Sequence, residues 1–216
     1  MLLPLNAAPF VLISVLASLA YGLVLQFRPI SLFRTFTKAL AIGAVAVWAF
    51  MAGAPALLTT ALAFSCLGDA ILTRDGDLSL PLGLASFLVA QLVYCVFFLE
   101  IGGLAIFAVE PVRLIPGVLA LAGGGLLTLY LWRDLGPLKA PVCVYVIALS
   151  AMVGASFSLR AAHAMASLGS VLFLASDAVL AIRLFKLTHR PSPLADHAVW
   201  WLYFAAQGLI ASAFLV

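Results

Sequence analysis

Charge is scarce in this chain. Lys, Arg, Asp and Glu together make up 9% of its 216 residues, where a soluble domain carries about 25%. So few charges cannot clothe a water-facing surface, and the lack of any basic run excludes a nucleic-acid-binding footprint. Cysteine is rarer still. Cys66, Cys95 and Cys143, an odd number and all in apolar stretches, argue against a disulfide framework and read as small packing residues. The three histidines, His163, His189 and His197, fall at span ends or in loops, and none stands at a metal-ligand spacing such as His-x-x-x-His. No Ser-His-Asp or Cys-His arrangement offers nucleophilic catalysis. Gly123-Gly-Gly125 lacks the lysine and the strand–turn–helix setting of a phosphate loop, and reads as close helix packing. Nothing in the sequence calls for a metal or a cofactor.

Apolar side chains, by contrast, fill 66% of the positions. No soluble core needs so many, so the bilayer is the solvent this sequence is written for. Windows of about 20 apolar residues give eight spans, at about 7–26, 36–53, 56–73, 81–101, 112–131, 138–159, 163–185 and 196–215. The fold class expected is all-α: a polytopic membrane bundle of eight transmembrane helices, one domain over residues 1–216. The first run has no basic segment before it and no small-residue cleavage site, so it reads as a span and not a removed signal peptide. Arg28-Pro29, Ala54-Pro55, Leu80-Pro81, Glu110-Pro111, Gly136-Pro137 and Pro191-Ser-Pro193 mark the turns. Spans two and three, and spans six and seven, are so closely joined that tight helical hairpins are expected.

Basic residues orient the bundle. The connections after spans one, three, five and seven carry Arg28, Arg34, Lys38, Arg74, Arg133, Lys139, Arg183, Lys186 and Arg190, against Arg113 and Arg160 on the other side. The positive-inside rule then puts both termini on the non-cytoplasmic side of an integral membrane protein. Trp48, Trp132, Trp200 and Trp201 fall near span ends, where interfacial anchors sit.

Against this apolar background two acidic residues stand out. Asp69 lies in Phe64-Ser-Cys-Leu-Gly-Asp-Ala-Ile-Leu72 and Asp177 in Leu172-Phe-Leu-Ala-Ser-Asp-Ala-Val-Leu180. A carboxylate near the bilayer centre costs about 2.5–3.5 kcal/mol on insertion scales. Such an expense points to function. At 1.5 Å per residue, Asp69 should lie roughly 6 Å and Asp177 roughly 10–12 Å from the cytoplasmic ends of parallel helices. The two stretches repeat at an offset of 108, half the 216-residue chain, as do Pro29 and Pro137. The matches fit a parallel four-plus-four duplication, or chance similarity in an Ala- and Leu-rich chain.

Further polar residues share helical faces with these or with each other. Ser65, Asp69 and Thr73 line one face of span three, and Ser170, Phe173 and Asp177 one face of span seven. Gln91 and Tyr94 pair on span four, and Tyr203 and Gln207 on span eight. Polar faces in a bilayer turn inward. Two carboxyls facing one low-dielectric cavity do not both ionise, so one can act as acid and the other as base. Gln91, Tyr94, Tyr203, Gln207, Ser65 and Ser176 are the candidates to orient water or substrate, though interhelical hydrogen bonds use the same residue types. Arg74, with Arg183 and Lys186, could meet a lipid phosphate at the cytoplasmic mouth. A proton-coupled transporter or lipid-translocating protein would use the same aspartates, and would favour broken helices around them.

Three stretches carry a resemblance: Phe64-Ser-Cys-Leu-Gly-Asp69 followed by Phe87 to Tyr94; Gly169-Ser-Val-Leu-Phe-Leu-Ala-Ser-Asp177; and Tyr203-Phe-Ala-Ala-Gln-Gly-Leu-Ile210. Over most of its length the chain resembles the YhhN-like membrane proteins, which include the lysoplasmalogenases. The resemblance implies hydrolysis of the vinyl-ether bond of a lysophospholipid, giving a fatty aldehyde and a glycerophospho-choline or -ethanolamine, with Asp69 and Asp177 as the catalytic pair. The family pattern has a histidine three residues before the tyrosine of span four. Here that position is Gln91.

Overall fold

A computed structural model of the chain describes residues 8–188 and 192–215. His189 and Arg190 lie outside the described residues. All regular structure within them is helical. Eight long helices are joined by short 3-10 turns and one four-residue helix: α1 (Ala8–Leu23), α2 (Leu32–Met51), α3 (Ala56–Leu72), α4 (Ser79–Gly102), the short α5 (Ile106–Val109), α6 (Ile115–Leu131), α7 (Lys139–Ser156), α8 (Ala164–Phe185) and α9 (Pro193–Leu215). They follow the eight sequence spans to within a few residues. Among the described residues, seven segments are long and apolar enough to cross a membrane. The remaining long helix, α3, has 17 residues, at the lower limit of about 17 for a spanning helix.

The chain divides into two compact units, one running to Tyr94 and taking in the end of the chain from Ala211, the other covering Cys95–Ile210. The division falls inside α4 and α9, not in the connection between spans four and five.

In the first unit α2 and α3 form the expected tight hairpin. Gly53, at φ +73°, makes the left-handed turn that glycine alone adopts without strain, and Pro55 precedes the first residue of α3. Ser31 caps α2, its side chain accepting from the Arg34 backbone N–H. Small residues let the helices approach. A Cβ on Gly43 would come within 3.2 Å of Cys66 Sγ, and the Cys66 thiol donates to the Ala39 carbonyl at 3.2 Å. Ser14 Oγ donates to the Ala41 carbonyl at 2.6 Å, tying α1 to α2. Between α3 and α4, a Cβ on Gly68 would meet the Phe87 ring at 2.6 Å and one on Gly83 would run into the Leu72 side chain. Ser86 Oγ donates to the Phe64 carbonyl at 2.7 Å.

In the second unit α6 crosses α7 where Gly117 faces Gly154, a Cβ on the first lying 2.9 Å from the Cα of the second. Of the triple glycine only Gly124 serves close packing, against Val146 at 2.6 Å; Gly123 and Gly125 have nothing within 4 Å of a would-be Cβ. Arg113 closes the far end of α7, donating to the carbonyls of Phe157 and Leu159 at 3.0 Å each while pairing with Glu110 at 2.7 Å. These carbonyls follow the last helical turn and would otherwise lack donors. The tryptophans divide. Trp132 is exposed, with Lys139 Nζ 5.2 Å from its ring, whereas Trp48 and Trp200 are buried in protein. The last two therefore serve as packing residues instead of the lipid anchors their positions suggested.

Candidate functional site

Asp69 is buried on the face of α3 that also carries Ser65 and Thr73, as the spacing requires. Its carboxylate meets Lys38 Nζ at 3.0 Å, and the side chains are 2% and 14% exposed. Lys38 lies six residues into α2. The same ammonium sits 5.7 Å from the centre of the Tyr21 ring on α1, within the range of about 6 Å for a cation–π contact. Three helices thus meet at one charge pair. As a unit the pair is neutral, which makes it far cheaper to house in a bilayer than a lone carboxylate. The hydroxyls of Ser65 and Thr73 donate back to their own helix, to Ala61 at 2.9 Å and to Asp69 at 3.1 Å.

Gln91 and Tyr94 are fully buried on α4 in the same unit. Neither amide atom of Gln91 finds a hydrogen-bond partner among the described residues. Arg74 is exposed in the turn after α3.

Asp177, in the second unit, is only part-buried, on α8. Its Oδ2 accepts a hydrogen bond of 2.6 Å from the phenol of Tyr145 on α7. Tyr203 on α9 packs edge-on against Phe173, one turn before Asp177, with ring centres 5.5 Å apart. Ser176 Oγ donates to the Val199 carbonyl at 2.9 Å, so its hydroxyl joins α8 to α9. Gln207 is fully buried on α9. Of the two basic residues considered for phosphate binding besides Arg74, Arg183 pairs with Asp196 at 2.8 Å and Lys186 with Asp134 at 2.5 Å.

Sequence reasoning missed two side chains that hold the aspartates. Lys38 reads from sequence as an orienting charge, yet it falls inside span two, and a lysine within a span is the available signal. Tyr145 lies inside span six, and a lone tyrosine in an apolar helix carries no signal of its own.

Long apolar helices, intramembrane carboxylates and side chains from neighbouring helices that hold them define a polytopic helical membrane protein with polar sites inside its helices. The chain belongs to the YhhN family, whose model matches residues 33–214. It is 34% identical over 163 residues to a lysoplasmalogenase of Mycobacterium bovis, a match covering 73% of this chain and 59% of the relative. A lysoplasmalogenase of Mycobacterium tuberculosis matches with the same identity and coverage. The chain thus spans about three-fifths of the length of these curated relatives. No solved structure matches it.

Proposed function

We propose that this protein hydrolyses the vinyl-ether bond of lysoplasmalogens, and that Asp69 and Asp177 supply the acid and base of the reaction. Family membership and the lysoplasmalogenase relatives support the substrate class. The observation that carries the chemistry is that each aspartate within a membrane helix is gripped by a side chain from the preceding long helix, Asp69 by Lys38 and Asp177 by Tyr145. Carboxyls so held are positioned, and positioning is what proton transfer to carbon requires.

The reaction consumes one water. A carboxylic acid gives its proton to the alkenyl carbon remote from oxygen, leaving an oxocarbenium ion next to the ether oxygen. A carboxylate takes a proton from water as the water oxygen bonds to that cation. The resulting hemiacetal breaks its bond to the glycerol oxygen, which gains a proton, and releases the fatty aldehyde. Both α3 and α8 continue as unbroken α-helix through their aspartates, which favours a fixed site over the interrupted helices of a transporter.

The test is aldehyde release from lysoplasmalogen by the purified protein, with Asp69→Asn and Asp177→Asn each expected to lower it by a factor on the order of 100 or more. In deuterated water the aldehyde, reduced at once to the alcohol, should carry one deuterium on the carbon next to the former carbonyl. Undiminished release by both variants would rule the reading out.

A further inference from the structure

We infer that Gln91 recognises the free sn-2 hydroxyl of the lysolipid and so sets the preference for lyso over sn-2-substituted lipid. This rests on the hydrolase reading given above. Gln91 is 0% exposed, and neither its Oε1 nor its Nε2 has a hydrogen-bond partner among the described residues. A buried amide left unsatisfied is among the more expensive features a helix can carry, so its persistence calls for a group that satisfies it.

The register of α3 and α4 places this amide. Gly83 meets Leu72 and Phe87 meets Gly68, so residue numbers rise along α4 as they fall along α3. Gln91, one turn beyond Phe87, comes level with the turn of α3 that holds Phe64 and Ser65. Asp69 lies one further turn along α3, about 6 Å away along the axis. A lysoplasmalogen carries its sn-2 hydroxyl a few bonds from the alkenyl carbon that must be protonated, a separation of the same order.

The chemistry of the amide matches that hydroxyl. Oε1 accepts and Nε2 donates, and a hydroxyl both donates and accepts. An acyl or methyl group at sn-2 removes the donor, leaving Oε1 buried and unpaired. A site built to bond a substrate hydroxyl rejects the analogue lacking it far more strongly than an apolar pocket could.

The experiment compares binding of two lipids to the purified protein by tryptophan fluorescence: the saturated alkyl-ether lysolipid and its sn-2 methyl ether, matched in chain and headgroup. Neither can be hydrolysed, so binding is read apart from catalysis. The wild type should bind the hydroxyl form at least about tenfold more tightly. Gln91→Met, similar in length but without the amide, should bind both alike. Gln91→His, which keeps a donor and an acceptor, should retain the preference. A wild type without preference, including one that binds neither lipid, overturns the assignment, as does a Gln91→Met variant that still discriminates. Aldehyde release from the vinyl-ether lysolipid is measured alongside. Its absence from a wild type that prefers the hydroxyl form would sink the hydrolase reading and leave the Gln91 assignment standing.

Discussion

Lys38 is the residue on which the first unit turns. Removing it strands the Asp69 carboxylate in a buried setting, and breaking such a pair costs about 3–5 kcal/mol. Lys38→Met should therefore lower both the melting temperature and aldehyde release, while Lys38→Arg keeps much of each. A second substitution separates the two effects. Lys38→Met with Asp69→Leu removes both charges, and replacing a buried pair by apolar groups is often neutral for stability. The double variant should melt near the wild type and remain inactive, and thermal unfolding measured beside aldehyde release checks this. Tyr145→Phe tests the other aspartate. The lost 2.6 Å bond is one to a carboxyl group, worth about 1.5–3 kcal/mol, so kcat should fall about 10- to 100-fold with little change in KM. A fall in melting temperature with kcat intact would make Tyr145 a packing residue only. The carboxylates themselves were legible in the sequence because a charge in an apolar run announces its cost. Their partners were not, since which lysine or tyrosine reaches an aspartate some thirty residues away depends on helix rotation, and an apolar sequence specifies that weakly.

At the scale of helices the sequence was almost fully readable. Span length is imposed by bilayer thickness, and proline and glycine mark most of the turns, so the long helices appear where apolar windows put them. Helix packing was harder to read. Among three consecutive glycines only Gly124 is needed for close approach, because successive residues on a helix face different directions. Gly169 gives the sharpest test. A Cβ there would lie 2.7 Å from the Ala206 carbonyl oxygen and 3.2 Å from the Ile210 backbone nitrogen. Backbone atoms cannot step aside as a side chain can, so Gly169→Ala should push α8 from α9 and cost about 1–3 kcal/mol. Gly123→Ala meets nothing within 4 Å and should hold or raise the melting temperature, since alanine is the better helix former. The two hairpins also share a design. Lys38 on α2 reaches Asp69 on α3, and Tyr145 on α7 reaches Asp177 on α8. A duplicated pair of helices would produce this, with the partner residue free to differ between copies.

For the whole molecule, the distribution of charge predicts in each unit separately which end faces the cytoplasm. In the first unit Arg28 and Arg34 stand at the connection into α2, where Arg34 Nη1 donates to the Arg28 carbonyl at 2.7 Å, and Arg74 follows α3. The α2–α3 turn at the other end, residues 52–55, carries no charge. In the second unit Arg133, Lys139, Arg183 and Lys186 gather at one end of α6, α7 and α8, with Arg113 and Arg160 at the other. Basic residues resist translocation, so the richer end of each unit should be cytoplasmic. Asp69 lies in the last turn of α3, next to the Arg74 end, so under the proposed function a lysolipid should bring its headgroup from the cytoplasmic leaflet. Single cysteines placed at Ala54 and Gly76, in a chain whose three native cysteines are replaced, read this out with a membrane-impermeant maleimide. Cells with their outer face exposed should label the first directly and the second only after permeabilisation. The reverse pattern would turn the protein over and bring its substrate from the opposite leaflet.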